Sequence, residues 1–200
     1  MLPKSLQALT RYFTTFPGVG PRMASRYAFF LLHQDHQKIN DFIKELQNLK
    51  KVRFCTQCFA PFDPVDKSDK LCPICKDKNR NHRLLCLVEK ESDLYSLEET
   101  GTYHGLYFII GSASQWFERK DSSERLKQLL IRIKKASPPL EEVILAINYT
   151  AEGQALHSFL QESLKKFPLK VTHLRQGLPL GSELGYADPE TLKKALQGRE

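Results

Sequence analysis

Along the first fifty residues the apolar positions recur at steps of three and four. Leu6, Leu9, Tyr12, Phe13 and Phe16 keep this spacing behind Pro3 and Ser5, which predicts a helix over about Ser5–Thr15. Phe16-Pro17-Gly18-Val19-Gly20 interrupts the period, and Pro21 is well placed as the first residue of a second helix. Met23, Ala24, Tyr27, Ala28, Leu31 and Leu32 give that helix an apolar face. A third helix is predicted over about Asn40–Lys51, with Phe42, Ile43, Leu46 and Leu49 turned inward. Residues 55–75 are rich in Pro, Asp and Lys and have no period, so they read as a knotted loop or ribbon.

The pattern then changes. Short apolar runs at Leu84–Val88, Leu106–Ile110, Val143–Ile147 and Lys170–Leu174 have the length of buried strands. Helical patterns at Asp93–Glu99, Ser123–Lys135 and Gln154–Lys166 separate them, and Pro189–Leu196 reads as a last helix. Strands alternating with helices predict parallel βαβ units. The fold expected is therefore α+β and multidomain: helical at the N-terminus, then a cysteine segment, then an α/β domain with a mainly parallel sheet and a C-terminal helical tail.

Charge changes the picture at one end of the chain only. The formal net charge is +7 over 200 residues, and residues 1–54 alone carry +6. A basic end on a near-neutral body predicts a polyanion contact there. No apolar run is long enough to span a membrane, and Met1-Leu2-Pro3-Lys4-Ser5 has no signal core, so neither a membrane nor export is expected. An odd number of cysteines without such a signal points to a reducing, cytoplasmic setting rather than a disulfide framework.

Four of the five cysteines form two Cys-x2-Cys pairs, Cys55/Cys58 and Cys72/Cys75, thirteen residues apart. Each pair presents two thiolates at a tight turn, and the loop lets the pairs converge tetrahedrally on Zn2+. Four sulfurs leave no position for water, so the zinc is structural; an iron–sulfur cluster or a labile dithiol is the alternative. Cys86, inside the apolar run Leu84–Val88, reads as a buried small hydrophobe.

Phe16–Ala24 resembles a helix-hairpin-helix element. Gly18 and Gly20 permit a tight turn and close approach of another backbone. Val19 plugs between the helices, and the free N–H groups at the second helix start suit a phosphate. Arg22 and Arg26 stand four apart, on one helix face, where both can flank the same backbone. Glu89, at the end of the first predicted strand, together with Glu91, Asp93, Gly101 and Gly105, looks like the opening of a Toprim domain. Such a domain also needs an Asp-x-Asp pair after a later strand to hold magnesium. Here Val143–Ile147 ends in Asn148-Tyr149-Thr150, so the fold is expected without the metal-dependent chemistry. No phosphate-binding loop, nucleophile elbow or zinc-protease motif is present. The six histidines are scattered, and Trp116 and Phe117 are candidates for base stacking, with packing the more ordinary role for a lone Trp.

A hairpin, a four-cysteine finger and a Toprim opening, in this order, resemble the RecR family of bacterial recombination mediators. Leu145–Gly153 is similar to that family's signature near the end of the Toprim region, and Leu174–Asp188, followed by Thr191-Leu192 and Ala195-Leu196, to its C-terminal segment. The resemblance implies a helix-hairpin-helix region at 1–54, a zinc finger at 55–78, a Toprim domain at 79–175 and a tail at 176–200. It implies a non-enzymatic protein of the RecF repair pathway. Such a protein works with RecO and RecF, helps load recombinase on single-stranded DNA, and binds single-stranded and duplex DNA. It also implies a homodimer or ring-like homotetramer and a nucleoid-associated place in the cytoplasm. Gly18, Gly20, Arg22 and Arg26 match the family's DNA-binding positions, and Glu89 and Glu152 its partner-contact positions. The alternative is a magnesium-dependent Toprim nuclease or primase-like enzyme built on Glu89. Two departures stand out. Ser112–Asp121 replaces the family's usual Gly- and Pro-containing loop, and Gly185 stands where an acid usually precedes Tyr-x-Asp.

Overall fold

The computed structural model describes residues 2–116, 120–175, 177–178 and 181–198. Phe117, named above as a stacking candidate, lies outside them. The chain divides into two compact units, Met1–Val52 and Arg53–Glu200.

In the first unit α1 (Lys4–Thr14) and α2 (Pro21–Leu32) enclose a small core of Leu6, Phe13, Ala24 and Ala28, with Leu9, Val19 and Leu31 against it. Val19 does sit in the wedge between the helices. Phe13 meets Phe16 and Tyr27 edge-on at 5.6 and 5.7 Å. α3 (His36–Asn48) starts four residues before the expected Asn40. Its first turn is polar, so the apolar period conceals it, but Asp35 caps it by accepting the Lys38 N–H at 2.8 Å. The expectation that α3 turns an apolar face inward fails. No α3 residue is buried, and Phe42, Ile43, Leu46 and Leu49 are 43–65 % exposed. Helical spacing identifies which residues share a face; it does not supply an element for that face to cover.

The second unit opens with a two-residue antiparallel ribbon, β1 (Arg53–Phe54) and β2 (Pro61–Phe62), and a one-turn helix, α4 (Pro73–Lys76). The remainder is β3 (Asn81–Val88), α5 (Glu91–Glu99), β4 (Gly105–Ile109), α6 (Ala113–Trp116), α7 (Lys120–Lys135), β5 (Glu142–Ala146), α8 (Ala151–Leu164), β6 (Lys170–His173) and α9 (Pro189–Gln197). Strands β3–β6 form one sheet in the order β4-β3-β5-β6, every neighbouring pair parallel, as the alternation predicted. Side chains alternate between its faces. Leu85 and Leu87 join Leu106, Phe108, Val143 and Leu145 in a core under α7 and α8, filled by Leu129, Ile133, Leu156, Leu160 and Leu164. Cys86 and Val88 face the other way, with Tyr107, Ile109, Leu94 of α5 and the four paired cysteines. Cys86 is the small buried hydrophobe expected, and burial pushes its thiol up to about 12. The loop Ser112–Asp121 begins with α6, whose Trp116 is 5 % exposed in the first core and 6.5 Å from the Phe159 ring, so it is a packing residue. Among the described residues no helix is long and apolar enough to cross a membrane.

The turn after β5 depends on one glycine. Thr150 caps α8 by accepting the Gly153 N–H at 3.1 Å, and a Cβ on Gly153 would lie 1.9 Å from the Asn148 carbonyl oxygen. Gly153→Ala therefore forces this turn apart. A loss of about 2 kcal/mol or more is expected in chemical denaturation, the upper range for overpacking a close-packed site; an unchanged midpoint would refute the constraint.

Candidate nucleic-acid interface and metal centre

The hairpin turn is fixed by main-chain bonds from Phe16 N–H to Phe13 O and from Val19 N–H to Phe16 O, both 3.1 Å. Gly18 has φ +74°, the left-handed region that a side chain would disfavour. Gly20 does a different job. It is extended, it is the N-cap of α2, and a Cβ there would meet nothing within 4 Å. With Pro21 lacking a donor and the first helical bond running from Ala24 N–H to Gly20 O at 3.0 Å, the N–H groups of Arg22 and Met23 precede the ladder. Gly20 has no side chain to cap them, and α2 has no acid in its first turn. The helix therefore presents free donors and its positive dipole end to solvent, the arrangement that receives a phosphate. Arg22 and Arg26 are exposed on the same side of α2. Among the described residues neither has a carboxylate partner; Arg26 rests on Met23 Sδ at 3.7 Å.

The cysteine segment folds as two facing knuckles. In the first, Cys55 N–H donates to Ala60 O and Phe59 N–H to Cys55 O, both at 2.9 Å. Phe59 closes this turn at φ 64°, a conformation that a bulky residue rarely adopts. Its ring is held edge-on to Phe108 at 5.3 Å and lies 4.5 Å from the Arg125 guanidinium. In the second, Cys72 caps α4, accepting the Cys75 N–H on sulfur at 3.5 Å. Thr56 N–H to Lys70 O, 2.9 Å, joins the knuckles, and the Tyr95 hydroxyl of α5 donates to Pro61 O at 3.0 Å. The Sγ atoms of Cys55, Cys58, Cys72 and Cys75 all lie within 4.8 Å of one another, and Cys58 and Cys72 are 3.5 Å apart. A tetrahedral ion with bonds of about 2.3 Å needs sulfurs about 3.8 Å apart, so the donor set fits a metal ion. Hydrogen bonds with Cys58, then with Cys72 and Cys75, hold the Cys55 thiol far below its ordinary range, and those with Cys55, Cys72 and Cys75 push Cys58 up. Among the described residues this is the one group of three or more side chains disposed to hold a metal.

Glu89 is neither a surface acid nor the cap of its own helix. It is 4 % exposed, and its two oxygens accept main-chain N–H groups from Ala113 and Asn148, each at 2.7 Å. It therefore ties the start of α6 to the turn after β5. Glu152 is exposed in the first turn of α8, a favourable place for a negative charge. The hairpin residues and these two acids belong to different units.

Residues 6–50 match the RecR helix-hairpin-helix family, 83–175 the Toprim domain and 177–200 the RecR C-terminal family. The recombination protein RecR of Thermus thermophilus is 40 % identical over 199 residues, 98 % of this chain and 97 % of that protein. The chain belongs to the RecR family. RecR of Bifidobacterium adolescentis is 38 % identical, covering 98 % and 95 % of the two chains, and RecR of Herpetosiphon aurantiacus 37 %, covering 98 % and 94 %. The Toprim match describes the fold of the second unit and is not in itself evidence of nuclease chemistry.

What sequence reading missed in this chain are the residues that hold the site residues in place. Gly153 was visible within the signature segment. The Asn148 N–H was not, because its partner is 59 positions away. Glu89→Gln exchanges an acceptor oxygen for an NH2, leaving the Ala113 or Asn148 N–H without a partner. About 1–3 kcal/mol of destabilisation is expected from urea unfolding, and wild-type stability would mean the two bonds contribute nothing. Cys72→Ser removes one sulfur from the set. The variant should lose stoichiometric metal in elemental analysis and unfold at lower temperature; retention of both would show that the cluster is not a structural centre.

Proposed function

We propose that this RecR family member is a non-enzymatic recombination mediator in DNA repair, binding DNA through the hairpin of its first unit. The observation that carries this is the uncapped start of α2, where Gly20 leaves the Arg22 and Met23 N–H groups open beside two arginines without carboxylate partners among the described residues. Gly18 and Gly20 shape the approach, and Arg22 and Arg26 flank the phosphate backbone. Such contacts bind single-stranded and duplex DNA without reading sequence. The metal is zinc, since four thiolates in a tetrahedral, filled shell suit it and leave no reactive position.

In this reading the protein acts in the RecF pathway with RecO and RecF type partners and helps load recombinase on single-stranded DNA in the cytoplasm, at the nucleoid. Glu152 offers the exposed acid for a partner. Glu89 serves that contact indirectly, by holding the loops that flank it. Self-association as a dimer or ring-like tetramer is supported by apolar side chains left exposed on the first unit, including Phe30 at 63 % and Leu49 at 65 %. A magnesium-dependent nuclease or primase is disfavoured because Asn148-Tyr149-Thr150 stands where further carboxylates are needed and because main-chain donors already occupy both Glu89 oxygens.

The double variant Arg22→Ala/Arg26→Ala tests the assignment. It should keep its thermal midpoint and bind DNA more weakly, with the salt slope flattened by up to about 0.9 per lost duplex phosphate contact. Unchanged affinity and slope would remove the hairpin from the interface. Light scattering of the same samples, with and without DNA, should give a mass above one chain; a monomer in both would remove the ring.

A further inference from the structure

Among the described residues β4 is an edge strand, and its outer main-chain groups have no neighbouring strand. The knuckles and α7 take that place. Ile109 N–H donates to Cys58 O at 2.9 Å. Arg125 Nη1 donates to Ile109 O at 2.8 Å, and Arg132 Nη1 to Tyr107 O at 2.8 Å. The two arginines are seven apart on α7, two helical turns, so both guanidiniums reach the same edge. They differ in what else they touch. Arg125 lies over the Phe59 ring. Arg132 also donates to Gln57 O at 2.8 Å, inside the first knuckle, and through Nη2 to Cys75 Sγ at 3.9 Å, in the second. Among the described residues it is the one side-chain N–H within reach of the clustered sulfurs; the other donors to them are cysteines and the main-chain N–H groups of Ala60 and Cys75.

We propose that Arg132 is the positioning residue of the metal centre, coupling both knuckles to the sheet edge and offsetting the charge of the thiolate shell. The inference rests on the reading of the cluster as a metal site. Four thiolates around a divalent ion carry a net negative charge. A half-buried guanidinium bonded to one sulfur lowers the electron density that an incoming proton or electrophile attacks, and its fork keeps Gln57 and Cys75 registered on β4. Removing it leaves all four ligands in place while the metal leaves faster.

The test uses the full chain in four forms: wild type, Arg132→Gln, Arg132→Lys and Arg125→Gln. Metal content is measured after growth with zinc, release is timed against excess chelator, and the cysteines alkylated by iodoacetamide are mapped. Arg132→Gln should release metal about tenfold faster or more, the effect typical of losing an outer-shell partner, with Cys75 alkylated ahead of its wild-type rate. Arg132→Lys keeps the charge without the fork and should fall between the two; if the Gln variant does not fold, this variant carries the comparison. Arg125→Gln should lower the thermal midpoint yet leave the release rate unchanged. Wild-type release from both Arg132 variants would overturn the proposal, as would equal acceleration by Arg125→Gln, which would make both residues straps of the knuckle alone. A wild-type chain without metal would overturn the metal reading itself.

Discussion

Four buried sulfurs within 4.8 Å of one another are the constraint on which the second unit turns. Residues 55–75 have no apolar period of their own, and what they bury gathers mainly around those sulfurs. The cluster in turn sits on one face of a parallel sheet, beside Cys86 and Tyr107, and the knuckle main chain occupies the free edge of β4. A metal-binding segment and a Toprim sheet are thus one packed body. A structural metal bound by such a donor set contributes an apparent ~10–16 kcal/mol in small zinc-finger peptides, the scale needed to hold a segment with little core of its own.

The carboxyl edge of the sheet shows the same economy applied to a carboxylate. In open parallel sheets this edge is where ligands bind, because loops and helix starts converge there. Glu89 lies at that edge, but its oxygens bind Ala113 and Asn148 N–H groups instead of reaching solvent. The nearby Gly153 and Thr150 bring α8 in so tightly that the turn admits no side chain. The result is a tightly bonded platform with the exposed acid Glu152 at its rim. That geometry suits contact with another macromolecule better than cation-assisted catalysis.

The first unit follows a different logic. Its core is small, and much of its apolar surface remains outside it. The geometry of the hairpin turn keeps it open: a left-handed glycine bends it, an extended glycine leaves the helix start uncapped, and no acid in the first turn of α2 offsets the two arginines. Exposed aromatic and aliphatic side chains on α2 and α3 are costly to leave in water, which is why self-association belongs to the proposed reading.

Local information determined a good deal of this. Apolar periodicity located nearly every helix and all four strands of the main sheet, since burial on one face needs residues at 3.6 or 2.0 spacing. The doubled Cys-x2-Cys spacing picked out the four sulfurs that gather in the fold, because two cysteines at one tight turn need only local geometry. The glycine turn of the hairpin and the shared face of Arg22 and Arg26 were legible for the same reason. Tertiary structure alone decided the rest. Phe59 takes a left-handed conformation that its sequence position does not favour, held by Phe108 and Arg125 from distant elements. Asp35 and Thr150 set helix starts that the apolar period placed four and three residues late. Phe42, Ile43, Leu46 and Leu49 share a face, as spacing required, yet face solvent. Arg132 reads as an ordinary basic residue of an amphipathic helix until folding brings Gln57, Tyr107 and Cys75 to it. Spacing along a chain fixes which side chains point together; which partner meets them depends on contacts between residues far apart in sequence.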